Sequence, residues 1–460
     1  MKDLADVALN TARLKGASYA DIRLVRTLNN FVTTREKRVE NVTNTESYGF
    51  GVRVLVDGAW GFAASSKVEK EEVARVAERA TSIAKANRSI MRNRISLVAV
   101  EKYPDAKYTT PVARDPFDVP LSEKADYLLK VNAEAMKIKG PGPMFVNSNM
   151  FFIKEEKYFA STEGSYIEQT LIRSWPSFTV TSVDPKTGRF EQRSSLGSPI
   201  GKGYEVVAEY DLINEVPLAA EQAIQKHTAK PVEPGRKDLV LHPTHLWLTI
   251  HESIGHPTEL DRVLGYEANF AGTSFATREK LGNFQYGSKF VNIKGDKVQK
   301  DGLATCGWDD DGVKTIEWDI LKDGILVNYQ TVRDNAGIIG LKHSQGAAYA
   351  DSWGSVAFQR MPNVSLQPAA GSANISADNL IADVKDGIYI EGDGSFSIDQ
   401  QRYNFQFGGQ VFWEIKNGKK TGLLRDVAYQ SRTPDFWNSC DGVGSKEHYR
   451  LGGAYFDGKG

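Results

Sequence analysis

The spacing of apolar residues predicts helices and strands that are interleaved along the first half of the chain. Leu4, Val7 and Ala12 recur at helical intervals, and a second helical face lies within 69–87. Between 143 and about 209 apolar residues fall on every second position, which is typical of half-buried strands. The pattern also predicts strands at 21–26, 30–35 and 47–56, a hairpin turn at Asp57-Gly58, and helices capped by Ser122 and Asp211.

A second region begins after the segment TAKPVEPGRK (228–237), whose prolines, glycine and charges leave almost nothing to bury. A short strand at 238–243 precedes a predicted helix over 244–257, with Thr244 as its N-cap and Pro257 near its end. Beyond about 285 strand patterns dominate, with hairpin turns at Asp323-Gly324 and Asn417-Gly418.

These patterns together predict an α+β fold of two domains. Residues 1–230 form an N-terminal mixed α/β domain, and residues 236–460 form a C-terminal strand-rich domain that carries the helix at 244–257.

The charge balance and the number of cysteines limit the partners and the cellular location that we expect for the chain. The 57 Lys+Arg residues balance the 58 Asp+Glu residues, so we expect no nucleic-acid partner, and no apolar run is long enough to give a membrane partner. Two cysteines, Cys306 and Cys440, in a chain of this length are typical of a reducing compartment, and we expect a cytoplasmic location. Acidic runs such as 309–311 are interpreted as solvated surface.

Residues 251–256 read His-Glu-Ser-Ile-Gly-His and form a pattern suited to metal chemistry. Zn²⁺ accepts neutral imidazoles as ligands, and a carboxylate beside the first histidine can take a proton from an activated water. Two unrelated histidines at a helix end are the alternative interpretation. The pattern therefore makes His251 and His256 candidate ligands and Glu252 a candidate general base.

The spacing of the two histidines does not suit a straight α-helix. At about 100° per residue, side chains five positions apart point roughly 140° away from each other. Gly255 and Pro257 flank the second histidine and favour a last turn that loosens, so that His256 can swing back toward His251. We therefore predict that regular α-helix does not continue through His256.

The segment HESIGHPTELDRVLGYEANFAGTSF (251–275) resembles the active-site segment of the TldD/PmbA family of metallopeptidases. SYGFGVRVLVDGAWGFAAS (47–65), AFQRMPNVSL (357–366) and RYNFQFGGQVFWEIKNGKKTG (402–422) extend the resemblance over essentially the whole chain. It implies a catalytic, TldD-like subunit that holds one Zn²⁺ per chain and hydrolyses unfolded or extended peptides. It also implies a dimer, either of two copies or with a PmbA-like paralogue.

The resemblance further implies a third metal ligand near the C-terminus, where relatives are expected to carry a cysteine before a Gly-Lys-Gly or Gly-Lys-Glu run. Asp457 stands at that place in the run GAYFDGKG, and a carboxylate is a competent Zn²⁺ ligand. Cys440 is the alternative third ligand. Relatives continue beyond the position of Gly460, so the chain is interpreted as a fragment or a shortened variant.

Two further residues are candidates for supporting roles. Glu259 matches an acidic position of the family and is either a partner that orients His256 through its second ring nitrogen or an exposed acid of a first helical turn. Arg360 is either a contact for a substrate carbonyl or carboxylate or an ordinary surface residue.

A non-catalytic scaffold or regulatory subunit, with a structural or lost metal site, is the alternative function. The changed third ligand is what keeps that alternative open, because a structural zinc has four protein ligands and no open position.

Overall fold

The computed structural model describes residues 1–371 and 374–455 and has the mixed α+β, strand-rich architecture predicted from the sequence. Within these residues the α-helices are α1 (Lys2–Leu14), α2 (Lys70–Arg88), α3 (Leu121–Lys137), α4 (Val206–Tyr210), α5 (Leu212–Lys226), α6 (Pro243–Ile250), α7 (Leu260–Val263), α8 (Ala377–Ala382) and α9 (Thr433–Asn438). A π-helical turn covers His251–Gly255, and 3₁₀ turns cover Pro116–Asp118, His256–Thr258, Arg278–Lys280, Ala336–Ile339 and Lys446–His448.

The strands are divided between the two halves of the chain. Those before residue 200 are β1 (Tyr19–Arg35), β2 (Arg38–Val56), β3 (Ala59–Ser65), β4 (Ala106–Thr109), β5 (Met144–Ser161), β6 (Tyr166–Asp184) and β7 (Arg189–Ser194). Those after it are β8 (Lys230–Pro231), β9 (Asp238–Leu241), β10 (Ile293–Asp296), β11 (Glu317–Lys322), β12 (Ile325–Leu326), β13 (Ala348–Tyr349), β14 (Phe358–Gln359), β15 (Asn363–Leu366), β16 (Asp386–Ile398), β17 (Asn404–Lys416), β18 (Lys419–Arg425) and β19 (Ala428–Arg432).

One large sheet organises the N-terminal half, in the order β3-β2-β1-β5-β6-β4 with β7 paired to β6. Side chains alternate across it because successive residues of a strand point to opposite faces. In β1, Ile22 and Leu24 belong to a hydrophobic cluster with residues of α1 and α2. Asp21 and Arg23 lie on the opposite face: Asp21 accepts a hydrogen bond from Arg53 of β2, and Arg23 donates to the carbonyl oxygen of Ser355. The helices therefore cover one face, and the other face turns toward the C-terminal half.

The C-terminal half contains a sheet in the order β8-β18-β17-β16-β9, with β19 paired to β17, and a smaller sheet in the order β12-β11-β10-β15. Both predicted hairpin turns are confirmed, and Asp323 and Asn417 have left-handed φ angles of 49°. Ile250, Ile254 and Leu260 pack in one hydrophobic cluster with Tyr286 and Trp437. This cluster anchors the segment that carries His251 and His256.

The acidic run at 309–311 is buried, so its interpretation as solvated surface was wrong. Arg53 Nη2 lies 2.6 Å from Asp311 Oδ1, and Lys157 Nζ lies 3.1 Å from Asp310 Oδ2. Both cations project from the face of the N-terminal sheet that turns toward the C-terminal half. Buried charges need such partners, and here the partners join the two halves.

A cleft of about 1720 Å³ lies between the halves. Glu155 and Arg173 of the N-terminal sheet contribute to its wall, and His251, Trp247 and Arg360 contribute from the C-terminal half. Among the described helices, none is both long and apolar enough to cross a membrane.

Candidate metal centre

His251, Glu252 and His256 converge at the end of α6. Each offers a ligand atom, and these atoms all lie within 4.8 Å of one another. The two imidazole rings have their centroids 4.6 Å apart and are nearly perpendicular, with an interplanar angle of 85°. Glu252 and His256 are buried, and His251 is half-buried at the wall of the cleft.

A π-helical turn brings the two histidines together. The N–H of His256 donates to the carbonyl oxygen of His251, five residues earlier, and this widened turn makes residues five apart neighbours. A 3₁₀ turn then follows, and the backbone becomes extended at Glu259. The prediction that α-helix does not continue through His256 is confirmed. The last turn was expected to unwind, whereas in the structure it is a regular π-helical turn.

The start of α6 differs from the prediction. The N-cap is His242 and Pro243 occupies the first helical position, so Thr244 is not the N-cap. His242 Nδ1 lies 3.4 Å from the N–H of Thr244 and accepts its hydrogen bond. Proline suits this first position because its missing N–H would have no partner within the helix.

Gly255 is required by a close approach rather than by its backbone angles, which are helical at φ −56° and ψ −63°. A Cβ at this position would lie 2.4 Å from the sulfur of Met361, well inside van der Waals contact. The carbonyl oxygen of Gly255 accepts a hydrogen bond from Gln330 Nε2 at 2.5 Å. Glycine thus lets the Arg360-Met361 segment pack directly against the turn that carries the histidines.

His256 is held by Glu259, whose Oε2 lies 2.8 Å from His256 Nδ1. The glutamate is fully buried and also lies 3.4 Å from Arg262 Nε. This contact occupies Nδ1, so Nε2 is the ring nitrogen that could bind a metal. Burial lowers the pKa of His256 below its ordinary value, although Glu259 acts in the opposite direction, and the neutral imidazole is the form that binds metals.

Glu252 is only 2% exposed and forms an ion pair with Arg402 through its Oε2. Arg402 comes from the connection between β16 and β17. The adjacent Ser253 is held by side chains of the underlying cluster: Trp437 Nε1 donates to its Oγ at 2.9 Å, and the Tyr286 hydroxyl donates to its carbonyl oxygen. These contacts fix the backbone from which Glu252 projects.

The structure describes two of the other three predicted site residues, Cys440 and Arg360, and it does not place them in the group formed by His251, Glu252 and His256. Asp457 lies outside the described residues. Cys440 is half-buried with its Sγ 3.7 Å from the carbonyl oxygen of Gly442, and burial raises the pKa of its thiol. Among the described residues, Cys440 does not belong to the group whose ligand atoms lie within 4.8 Å. Arg360 is half-buried and lines the same cleft as His251.

The donor set fits a zinc ion. The imidazoles of His251 and His256 lie side by side. A carboxylate contacts the second nitrogen of His256 and orients its ring, which is an arrangement common at zinc sites. Glu252 is held at the same place by an arginine. The described residues could thus supply two nitrogen ligands and a base, and a third protein ligand would come from elsewhere.

Sequence reasoning missed Arg402, Gln330 and the contact of Met361. Arg402 and Met361 lie within segments that carry the family resemblance, but an arginine in a turn and a methionine in a loop have no local feature that marks them. Gln330 follows a strand-rich stretch and donates to Gly255 from 75 positions away in the sequence. Only the fold brings these residues to the histidines.

We expect Glu259→Gln to weaken zinc binding by roughly 10–100-fold, because loss of the carboxylate reduces the basicity of His256 and loosens its ring orientation. Competition with a chromophoric zinc chelator measures the dissociation constant. Glu267→Gln, at a half-buried glutamate of the segment just after α7, is a control that should bind zinc like the parent protein. Equal affinity of Glu259→Gln and the parent would contradict the orienting role.

Three family models match the chain and together span most of it. Residues 20–84 match PmbA/TldA metallopeptidase domain 1, residues 114–229 match the PmbA/TldA metallopeptidase central domain, and residues 234–455 match the PmbA/TldA metallopeptidase C-terminal domain.

Curated relatives align over nearly their whole length. A protein named metalloprotease from Methanothermobacter thermautotrophicus is 28% identical over 436 residues, covering 94% of this chain and 89% of the relative. A zinc metalloprotease TldD homolog from Saccharolobus solfataricus is 24% identical over 430 residues, covering 93% and 88%.

Solved structures share the fold at low sequence identity. A putative modulator of a DNA gyrase from Thermotoga maritima superposes with a TM-score of 0.77 at 18% identity, covering 96% of this chain and 95% of the other. TldE from Thermococcus kodakarensis gives a TM-score of 0.67 at 17% identity, covering 95% and 93%.

Proposed function

Since the chain belongs to the PmbA/TldD family of metallopeptidases, we propose that it is a zinc-dependent peptidase that hydrolyses unfolded or extended peptides in the cleft. The observation that carries this proposal is the convergence of two imidazoles and a buried glutamate within 4.8 Å of one another, where His251 lines that cleft. One zinc ion per chain is held by His251 and His256, with Asp457 or Cys440 as the third ligand.

Bound zinc would polarise the scissile carbonyl and make a water more acidic. Glu252 supplies the proton transfers: its carboxylate accepts a proton from the attacking water and delivers it to the departing amine. Its ion pair with Arg402 and its burial fix the direction in which it can act. His256 is held neutral by burial and oriented by Glu259, so it acts as a ligand and not as an acid.

The shape of the cleft supports an extended peptide as substrate. Asn363 to Leu366 line it, and within the described residues this strand, β15, pairs with β10 on one side only. The other edge of β15 can pair with an extended chain through main-chain hydrogen bonds. Met361 and Arg360 precede this strand, so a peptide paired to β15 runs past the segment that packs on Gly255. Most strands of a folded protein are already paired within its own sheets, so an unfolded chain pairs at this edge more readily.

Assembly and location are part of the same proposal. We infer a dimer, of two copies or with a PmbA-like paralogue, and light scattering on the purified chain, alone and mixed with such a paralogue, distinguishes the two. The division into domains at 1–230 and 236–460 and the cytoplasmic location are proposed on the sequence features given above.

The proposal is tested with one protein offered as substrate in two states. We expect the zinc-loaded chain to cleave reduced, alkylated ribonuclease and to leave the folded form intact, with mass spectrometry of the products as the measurement. A chelator should abolish cleavage and added zinc should restore it, while the variant carrying both His251→Ala and His256→Ala stays inactive. Stoichiometric zinc without any turnover would instead support the scaffold or regulatory subunit.

A further inference from the structure

The connection between β16 and β17 holds an arginine in a backbone conformation that arginine rarely adopts. Arg402 has a φ of 64°, in the left-handed region that favours glycine and asparagine. Asp399 stabilises the turn: its carbonyl oxygen accepts from the N–H of Arg402 at 2.9 Å, and its carboxylate accepts from the N–H groups of Tyr403 and Asn404, both at 2.9 Å. A strained residue held by its surroundings is a reason to look for a function.

The tip of this turn is docked against other parts of the C-terminal half. Thr433 Oγ1 donates to the carbonyl oxygen of Arg402 at 2.7 Å. The N–H groups of Thr273 and Phe275 donate to the carbonyl oxygens of Gln400 and Gln401 at 2.9 Å and 3.0 Å. The turn therefore presents the Arg402 side chain from a fixed backbone.

The side chain presented in this way reaches the base of the proposed reaction. Arg402 Nη1 donates to Glu252 Oε2, and the two side chains are 14% and 2% exposed. Because the pair is screened from water, its attraction is stronger than that of a surface ion pair.

Glu252 occupies a position in which it competes for the metal. One of its oxygens is within 4.8 Å of the ligand nitrogens of both histidines, and a carboxylate is itself a good zinc ligand. A base that ligates the ion cannot accept a proton from water. A cation that attracts the carboxylate away from the ion resolves this conflict.

We propose that Arg402 is a positioning residue that keeps Glu252 out of the metal coordination sphere and orients it for proton transfer. This inference rests on the proposed peptidase function with Glu252 as general base. It assigns Oε2 to the ion pair and Oε1 to the exchange of protons with water and with the departing amine.

Two substitutions distinguish the effect of the guanidinium from the effect of the backbone conformation at residue 402. Asparagine tolerates the left-handed φ of residue 402, so Arg402→Asn removes the cation and preserves the turn. Arg402→Lys keeps a positive charge in case the asparagine variant folds poorly. Arg432→Asn, on the neighbouring β19, removes an exposed arginine that pairs with Asp435 and serves as the matched control.

For Arg402→Asn we expect kcat to fall by about 10²-fold, the cost typical of a misplaced reacting group, while KM changes little. The dissociation constant for Zn²⁺, measured by chelator competition, should become several-fold tighter because Glu252 joins the ligands. The visible spectrum of the Co²⁺-loaded variant should change accordingly. Arg402→Lys should recover part of kcat, and Arg432→Asn should match the parent in every measurement.

A double variant tests whether Arg402 acts on the metal site through Glu252. In a chain that carries Glu252→Gln, adding Arg402→Asn should leave the zinc dissociation constant and the Co²⁺ spectrum unchanged, because an amide does not compete as a carboxylate does. Unchanged kcat in Arg402→Asn, or weaker zinc binding together with a lower melting temperature, would overturn the inference. An active Glu252→Gln variant would instead contradict the proposed function, so the two failures are distinguishable.

Discussion

Glu252→Gln is expected to retain its zinc and to lose peptide hydrolysis by about 10²–10⁴-fold in kcat, the range typical of a lost general base. Glutamine keeps the shape of the side chain and its hydrogen bond from Arg402 but accepts no proton at neutral pH. Zinc content by elemental analysis and turnover of an unfolded substrate are the two measurements. Parallel loss of zinc and activity would contradict the role of base and indicate a ligand.

The substitution also leaves the Arg402 guanidinium without its buried counter-ion. Breaking a buried pair typically costs about 3–5 kcal/mol of unfolding free energy, and the 14% exposure of Arg402 reduces that cost. Thermal unfolding should therefore show a lower melting temperature for the zinc-free variant while circular dichroism still shows a folded chain. Glu279→Gln, at an exposed glutamate of the same half of the chain, controls for the loss of a carboxylate elsewhere.

The fold was predictable where a strong period or a specific turn marks an element. The helical faces of α1 and α2 and the Asp57-Gly58 turn are confirmed. The strands at 21–26 and 30–35 form one continuous β1, and β2 begins at Arg38 instead of at 47. The first part of β2 is exposed and polar, so it carries no alternation of apolar residues for the sequence to show.

Buried charges were hidden from the sequence for a different reason. An acidic run has the same composition whether it is solvated or paired, and the partners of Asp310 and Asp311 are 153 and 258 positions away in the sequence. Only the docking of the N-terminal sheet on the C-terminal half brings Lys157 and Arg53 to them. Pairing at this distance has no local pattern.

The candidate metal centre shows the same difference between residues that are close in the sequence and residues that are distant in it. His251, Glu252, His256 and Glu259 lie within nine consecutive residues, so their chemistry and spacing are visible in the sequence. The π-helical turn was not predicted in form, because it depends on tertiary contacts to Gly255 and Ser253. Arg402 is 150 positions from Glu252, and its contact depends on how the β16–β17 hairpin docks.

Asp457→Asn is expected to weaken zinc binding by more than the roughly 10–100-fold given for an outer contact such as Glu259, whereas Cys440→Ser should change it little. An amide lacks the negative charge of a carboxylate ligand. The thiol of Cys440 has a pKa raised by burial, which disfavours the thiolate that zinc requires. Chelator competition on the two single variants and the double variant gives the ranking.

Cobalt substitution gives an independent measurement of the same ligand. A thiolate ligand gives the Co²⁺-loaded protein an intense sulfur-to-metal charge-transfer band, and a site of two histidines and a carboxylate lacks it. We expect the band to be absent from the parent protein and from Cys440→Ser alike. A band that disappears in Cys440→Ser would assign the third ligand to Cys440. Unchanged metal content in both variants would leave either a weak site of two histidines or a site that a partner chain completes. In that last case the site would be completed only in a dimer, and the regulatory subunit would become the better account of the chain.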